Sequence, residues 1–206
     1  MPLLRGAILS DHRAMEDGRN ETRMKGVSFL GVLGALERKH GASVAGAVRA
    51  SIEGPFGEAL RHNEILAGGW YRVGWYDQLL AAIERAMPGE KTVLRDLSHA
   101  AVTQDFQTLF RVVRLIGQPG WFLTTATKVM SRYIEGGKVE VLDRHEGEIR
   151  LRFDGFAGYG RRTWEDLRGG MEAIADLLQM KNVRTRFVAG GGDGNDFCEF
   201  LVRYDP

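Results

Sequence analysis

The chain has 206 residues, in which 28 lysines and arginines nearly balance 27 aspartates and glutamates. This balance creates no overall field that would attract nucleic acid or an anionic membrane surface. The single cysteine excludes an internal disulfide and a zinc site built from several cysteines. No stretch approaches the roughly 20 apolar residues of a membrane span, and the first apolar run is too short for a secretory signal, so we expect a cytoplasmic protein without membrane insertion.

The stretch from Asp11 to Arg23 is polar and charged, with Gly18 and Asn20 within it. Such a composition is typical of a surface loop or a linker. We therefore expect an N-terminal extension over residues 1–24 and a single domain over residues 25–206.

A strongly apolar helix is predicted from about Lys25 to Lys39, where Gly41 ends it. Gly31 and Gly34 share one face of this helix, and a second backbone could approach closely on that face. The face indicates packing against another helix of the chain or, as the alternative, a seam between two protein chains. Candidate interface residues for a homodimer or another protein partner are Val27, Leu30, Gly31 and Gly34.

Further helices are predicted in the middle of the chain from the spacing of apolar residues and from glycine and proline stops. They cover about residues 43–53, 74–87, 92–102, 105–116 and 121–134, with a short segment at 56–62. The N-terminal two-thirds of the chain is therefore predicted to be mostly helical.

The densest aromatic run of the chain lies between Ile65 and Tyr76. It has two interpretations: an aromatic wall of a ligand pocket, or the joint at which the helical layer seats on a sheet. On the first interpretation the pocket lies between helices and sheet, and its candidate lining residues are Trp70, Tyr71, Trp75, Trp121, Phe122 and Tyr133.

The last third of the chain predicts two strands, a helix and two more strands. Apolar and polar residues alternate at 138–141, 148–153, 183–187 and 198–203, and a helix with an apolar stripe begins near Thr163. We expect the cost of Gly169 and Gly170 in that helix to be offset by close packing on the sheet. The inward side chains are predicted to be Val139, Val141, Ile149, Leu151, Phe153, Phe187, Cys198, Phe200 and Val202. The fold class is therefore α+β: a mostly helical N-terminal two-thirds packed on a C-terminal four-stranded antiparallel sheet, the ββαββ unit.

The outward face of this sheet carries five arginines, Arg150, Arg152, Arg184, Arg186 and Arg203. Three glutamates fall on the same face, which favours a solvated, salt-bridged surface over a site for an anionic partner. The glycine-rich stretch 190–194 leads into a strand and not into a helix. It therefore predicts a hairpin turn and not a phosphate-binding loop.

Three short motifs stand out along the chain: Lys25-Gly26-Val27-Ser28-Phe29-Leu30, Gly69-Trp70-Tyr71 and Ser131-Arg132-Tyr133. With the terminal unit and its late cysteine, they resemble a domain of unknown function that forms a paralogous family in myxobacteria, over about residues 25–203. That family is similar to the superfamily of vinyl reductase domains, haem nitric-oxide-binding domains and small subunits of the TRAPP vesicle-tethering particle. The resemblance implies either a domain that binds an apolar or tetrapyrrole ligand or an assembly subunit.

A haem-binding relative needs an axial histidine on a helix and a basic motif for the propionates. His99 is the candidate axial ligand by position, but the Tyr-x-Ser-x-Arg motif of the nitric-oxide sensors is absent, because Tyr133 follows Arg132. We therefore expect no cofactor. The five histidines lack the spacing of a metal site, so we expect no metal, and Cys198 is predicted to be a small buried hydrophobic residue.

No catalytic motif is present, so we expect a protein that is not an enzyme. The favoured function is a non-catalytic small-molecule-binding or sensory domain, with an apolar molecule as the ligand. The alternative is an assembly module that works as a homodimer or as a subunit of a complex. A third function, nucleic-acid binding through the arginine face, is disfavoured by the glutamates on that face.

Overall fold

The computed structural model describes the backbone of residues 21–113, 130 and 132–205, and the side chains of all of these except 106–113. In this part of the chain, the helices are α1 (Gly26–His40), α2 (Ala42–Ala50), α3 (Gly54–Arg61), α4 (Val73–Ala86), α5 (Val93–Val113) and α6 (Arg161–Leu177). The strands are β1 (Arg23–Lys25), β2 (Trp70–Arg72), β3 (Ile134–Glu135), β4 (Lys138–His145), β5 (Glu148–Asp154), β6 (Lys181–Gly190) and β7 (Cys198–Asp205). The predicted α+β fold is confirmed.

The first helix ends where the sequence predicts. Gly41 has a φ of +90° and its N–H donates to the carbonyl oxygen of Glu37 at 2.8 Å. A residue with a Cβ atom rarely adopts this conformation, so glycine ends the helix there. Basic side chains in the last turn, among them Arg38 and Lys39, interact favourably with the negative end of the helix dipole.

One long helix, α5, replaces the two helices predicted at 92–102 and from Asp105. The stretch between the two predicted helices contains neither glycine nor proline, so nothing in it interrupts the backbone hydrogen bonds. Asp105, which the sequence suggested as a helix start, lies inside α5. The pKa of its carboxyl group is raised because partial desolvation disfavours the charge, an effect that the nearby Arg38 opposes.

A small three-stranded sheet of order β2-β1-β3 was not predicted. Met24 pairs with Tyr71 on one side and with Ile134 on the other, in antiparallel register. The carbonyl oxygen of Thr22 also accepts the N–H of Val73 at 3.0 Å. Residues 21–24, assigned above to an N-terminal extension, are therefore tied into the domain. Strands of two or three residues are too short to show an alternating pattern.

The larger sheet contains the four predicted strands, in the order β4-β5-β7-β6, and every pair is antiparallel. Its inner face buries most of the predicted side chains: Ile149, Leu151, Phe153, Cys198, Phe200 and Val202. Val139 and Phe187 are half-buried. Val141 is 45% exposed, contrary to the prediction: it pairs in register with the buried Leu151, but it lies on β4, an edge strand of the sheet.

Helix α6 lies between the larger sheet and α5. Gly169 contacts the backbone of α5, where an added Cβ atom would overlap the carbonyl oxygen of Arg95. A Cβ atom at Gly170 would meet Val102 and Ser98 at ordinary van der Waals distances of 3.4 and 3.5 Å. The glycines were expected to allow close packing on the sheet. Instead, Gly169 allows close packing of α6 on another helix.

The glycine-rich stretch 190–194 connects β6 to β7, as the hairpin prediction requires. It also stabilises the start of α6, since Asp193 Oδ1 accepts the N–H of Arg161 at 2.8 Å. This bond satisfies one of the free N–H groups of the first helical turn. Within the described residues, no helix combines the length and the hydrophobicity needed to cross a bilayer.

Candidate functional site

A cavity of about 520 Å³ opens where the small sheet meets the larger one, and it is partly open to solvent. We call it the joint cavity. Its walls come from β2, β3, β4 and the loop after β5. Its described lining residues are Trp70, Met130, Ile134, Glu135, Gly136, Gly137, Lys138, Val139 and Phe156. Most of these are apolar, so the cavity suits a molecule with an apolar body.

The wall between β3 and β4 consists of two glycines with positive φ, +106° at Gly136 and +70° at Gly137. A Cβ atom at Gly137 would lie 2.5 Å from Cε2 of Phe156. Glycine therefore serves two purposes at this position: it permits the left-handed backbone, and it lets the chain contact the face of a buried ring. The Phe156 N–H in turn donates to the carbonyl oxygen of Asp196 at 2.7 Å, which fixes this side of the cavity.

Behind the cavity lies a cluster of aromatic rings that reaches α6. The ring centroid of Phe156 is 6.0 Å from that of Phe153, 5.1 Å from that of Tyr159 and 5.9 Å from that of Trp164. Trp164 is fully buried on α6, and its indole N–H donates to the carbonyl oxygen of Asn195 at 3.4 Å. One wall of the cavity is thus in direct contact with the helix that covers the larger sheet.

Charged groups stand at the rim of the cavity. Trp70 is 37% exposed, and the Lys25 Nζ lies 5.3 Å from its ring centroid. Lys138 Nζ is bonded to Glu140 Oε1 at 3.0 Å, so its charge is already partly compensated. The described residues at the rim therefore give no reason to expect a charged group on the ligand.

Of the six predicted pocket residues, Trp70 lines the joint cavity, whereas Tyr71 and Trp75 lie in a separate aromatic cluster of the helical half. Their rings stack with centroids 6.0 Å apart, and Trp75 also stacks on Phe56 at 5.2 Å. The Tyr71 hydroxyl accepts the N–H of Leu66 at 2.8 Å, which ties the loop before β2 to this cluster. These two aromatic residues thus hold helices and strands together.

The remaining predicted pocket residues are Tyr133, Trp121 and Phe122. Tyr133 is half-buried beside the core, and its pKa is raised, first by burial and then by the charge of Asp105. Trp121 and Phe122 lie outside the described residues.

Sequence reasoning missed Phe156 and Met130 as lining residues. The one signal in the sequence was the glycine pair 136–137, which indicated a backbone exposed to close approach.

The predicted interface residues lie on α1. A Cβ atom at Gly31 would lie 3.4 Å from the Cβ atom of Ala101, so this glycine faces α5 of the same chain. Leu30 is 40% exposed, whereas Val27 is half-buried. A Cβ atom at Gly34 would approach the side chain of Arg38 on the same helix. A contact with a second protein through Leu30 stays a prediction.

His99, the candidate iron ligand, forms a hydrogen bond with Asp176. Its Nε2 lies 2.8 Å from Oδ2 of Asp176, so the imidazole bridges α5 and α6. Its side chain is 36% exposed and does not line the joint cavity. Within residues 21–113 and 132–205, no three His, Cys, Asp or Glu side chains come together in a way that could hold a metal ion. Cys198 is fully buried.

A second polar feature lies deep between three helices. Tyr76 of α4 donates its hydroxyl to Oδ1 of Asp166 on α6 at 3.0 Å, and Ser98 of α5 also donates to this carboxyl group. Burial raises the pKa of Asp166 to about 7, although the two hydrogen bonds oppose the shift. The pKa of Tyr76 is also raised, first by burial and then by the charge of Asp166. The three groups form a buried, hydrogen-bonded polar cluster that holds one titratable carboxyl group.

Comparison with solved structures places this arrangement of helices and sheets among known folds. An H-NOX protein from S. oneidensis in the Fe(II)NO ligation state superposes with a TM-score of 0.67, over 89% of this chain and 100% of that chain, at 14% sequence identity. The chain has the H-NOX fold. The IWP-051-bound H-NOX from Shewanella woodyi in the Fe(II)CO ligation state gives a TM-score of 0.63 at 14% identity, over 89% and 95% of the two chains.

An H-NOX structure solved to probe the function of heme distortion gives a TM-score of 0.60 at 14% identity, over 88% of this chain and 94% of that one. No family model and no curated protein matches the sequence. The haem nitric-oxide-binding part of the resemblance is thus confirmed at the level of fold. The myxobacterial family and the vinyl reductase and TRAPP relationships stay predictions.

These comparisons correct one expectation. We expected no cofactor, but the solved proteins that share this fold are Fe(II) proteins, and haem is the group named for the H-NOX family. The sequence argument relied on an absent propionate motif, which is a local pattern.

Proposed function

We propose that this chain is a sensory domain that binds a small, largely apolar molecule in the joint cavity. The observation that carries the proposal is the cavity itself, which lies at the junction of two sheets within an H-NOX fold. A ligand in it would contact Phe156, whose ring touches Trp164 on α6. Occupancy would thereby act on the helix that covers the larger sheet, as a sensory function requires.

Haem is the first ligand to test, because the solved H-NOX proteins are described by their Fe(II) ligation states. The described residues do not fit a histidine-ligated haem in this cavity. His99 is bonded to Asp176, and the described lining contains no histidine, cysteine or tyrosine. His12 lies outside the described residues. No residue is therefore assigned as an iron ligand.

The test compares haemin with protoporphyrin IX, which has the same apolar ring without iron. Each is titrated into the protein and followed by its absorption band and by tryptophan fluorescence. The Val139→Trp variant fills the cavity and is expected to weaken binding at least about tenfold, which corresponds to about 1.4 kcal/mol. Leu142→Trp is the matched control, since this side chain lies on the same strand, is exposed and does not line the cavity.

Equal binding by the two variants would place the ligand elsewhere and overturn the proposal. The proposal would also be overturned if neither porphyrin bound and a small-molecule screen found no other apolar ligand. Binding of both porphyrins would indicate recognition of the apolar ring. Binding of haemin alone would indicate an iron ligand, to be sought with His99→Ala and His12→Ala. His62→Ala serves as control because His62 is exposed and does not line the cavity.

A further inference from the structure

Strand β6 forms one edge of the larger sheet. Within the part of the chain that the structure describes, it pairs with β7 alone. An edge strand directs alternate N–H and C=O groups away from the sheet, and these groups can bond to another extended chain. The register of β6 against β7 is regular from Arg184 to Phe187 and shifts on both sides of this segment. Within this segment the Thr185 carbonyl oxygen accepts a hydrogen bond from Arg168 Nη2 of α6 at 2.7 Å, and an added strand would replace this bond.

The charges along this edge differ from those on the rest of the arginine face. Arg150 and Arg152 both bond to Glu199, and Arg203 bonds to Glu148 at 2.6 Å. The salt-bridged face that the sequence predicted is therefore present on the two central strands.

Arg184 and Arg186 are exposed on β6 and have no carboxylate partner among the described residues. Arg184 also pairs in register with Arg203, so two like charges lie opposite each other across the strands. Glu148 compensates the charge of Arg203, so an anionic group beside Arg184 would compensate the charge that remains. The edge of β6 thus has no neighbouring strand among the described residues and carries uncompensated positive charge.

We propose that the β6 edge binds an extended acidic segment of a partner protein, which adds to the larger sheet as a fifth strand. The segment carries carboxylates at two alternate positions, because side chains two residues apart on a strand share a face and lie about 7 Å apart. Arg184 and Arg186 have this spacing. Directly opposite cross-strand pairs then form between them and the two carboxylates.

A protein segment fits this edge better than a nucleic acid does. A phosphate backbone calls for a stripe of several free cations, whereas Arg150, Arg152 and Arg203 are already held by Glu199 and Glu148. Two free arginines on one strand edge match a pair of carboxylates. The backbone groups of the edge add hydrogen bonds that a nucleic acid would not complete.

The test uses the full chain and a fluorescently labelled peptide in which glutamates alternate with valines. A second peptide has the same composition with the glutamates in one block, and a third probe is a mixed-sequence oligonucleotide. Binding is followed by anisotropy, and the site by the change in hydrogen exchange of the β6 amides. We expect the alternating peptide to bind most tightly and to protect β6.

The variant Arg184→Ala/Arg186→Ala removes both free cations from exposed positions. It should lower the affinity about tenfold, since two exposed charge pairs are lost. The matched control is Arg144→Ala, which removes an exposed arginine from β4 at the opposite edge of the sheet. It should bind like the parent protein, and circular dichroism checks that both variants fold.

Four results would each overturn the proposal. The block peptide could bind as tightly as the alternating one, the control variant could lose as much affinity as the double variant, or the oligonucleotide could bind more tightly than either peptide. Absence of peptide binding would mean that the arginines and the register shifts of β6 serve to prevent aggregation at an open edge.

Discussion

The buried carboxyl group of Asp166 is expected to make the stability of this domain depend on pH. In the folded chain its pKa is raised to about 7 from the ordinary value of 3.8, chiefly by burial. Between these two values the folded protein keeps a proton that the unfolded chain releases. The free energy of unfolding therefore falls as the pH rises through this window and becomes level above it.

The magnitude follows from the two pKa values. They differ by about three units, and each unit corresponds to 1.36 kcal/mol, so the full change is about 4 kcal/mol. Asp166→Asn has no proton to lose and keeps an oxygen that can accept from Tyr76 and Ser98. Relative to this variant, the parent protein should lose about 4 kcal/mol of stability between pH 3 and pH 8.

Urea unfolding at several pH values, followed by circular dichroism, measures this difference. The comparison with the variant cancels the contributions of other carboxyl groups. Among these, Glu199 has a pKa lowered mainly by its hydrogen bond from Arg150. Tyr76→Phe removes a bond that opposes the raised pKa, and it should move the midpoint of the dependence to higher pH. A difference between parent and Asp166→Asn that stays constant from pH 4 to pH 7 would refute the reasoning.

Three further changes test the packing. Gly169→Ala should lower the free energy of unfolding by about 2–3 kcal/mol, because its Cβ atom overlaps a carbonyl oxygen of α5. The adjacent Gly170→Ala should leave it unchanged or raise it by up to about 1 kcal/mol through helix propensity. Thermal unfolding compares the two variants, and equal shifts in melting temperature would contradict the close contact. Gly137→Ala should lower the free energy of unfolding, measured with urea, by at least about 1 kcal/mol because the residue has a positive φ. It should also weaken ligand binding by displacing the ring of Phe156. Unchanged stability and binding would argue against the described wall of the cavity. Cys198 should resist alkylation by iodoacetamide until the protein unfolds. Burial, followed by the charge of Glu199, raises the pKa of its thiol from 9.0 to about 12 and makes the reactive thiolate about a thousandfold scarcer. Rapid labelling of the folded protein, measured by mass spectrometry, would contradict this expectation.

The larger sheet could be predicted from the sequence because its strands are long enough to alternate. Phe153 and Phe200, for example, lie within runs in which every second residue is apolar, and both are buried. The exception, Val141, shows the limit of this reasoning. Its residue type and its position in the alternation are correct, and it pairs with the buried Leu151, but it lies on an edge strand and stays exposed.

The candidate site could be predicted only in part. Trp70 was named because aromatic residues cluster in that stretch, and it does line the joint cavity. Tyr71 and Trp75 belong to the same run, yet they pack in another cluster, since successive residues at a strand-to-helix junction point in different directions. Phe156 could not be identified, because it reaches the cavity through a loop that has no periodic pattern.

The sequence by itself determined the class of the fold, the order of most of its longer elements and most of the side chains that face the core, because these depend on periodicities of two and 3.6 residues that are local to the chain. Tertiary structure decided the rest: the small sheet that joins residues 23–25, 70–72 and 134–135, the cavity beside it, and the charge state favoured by Asp166. Each of these depends on groups that are distant in sequence and close in space, and a local pattern carries no information about such distances.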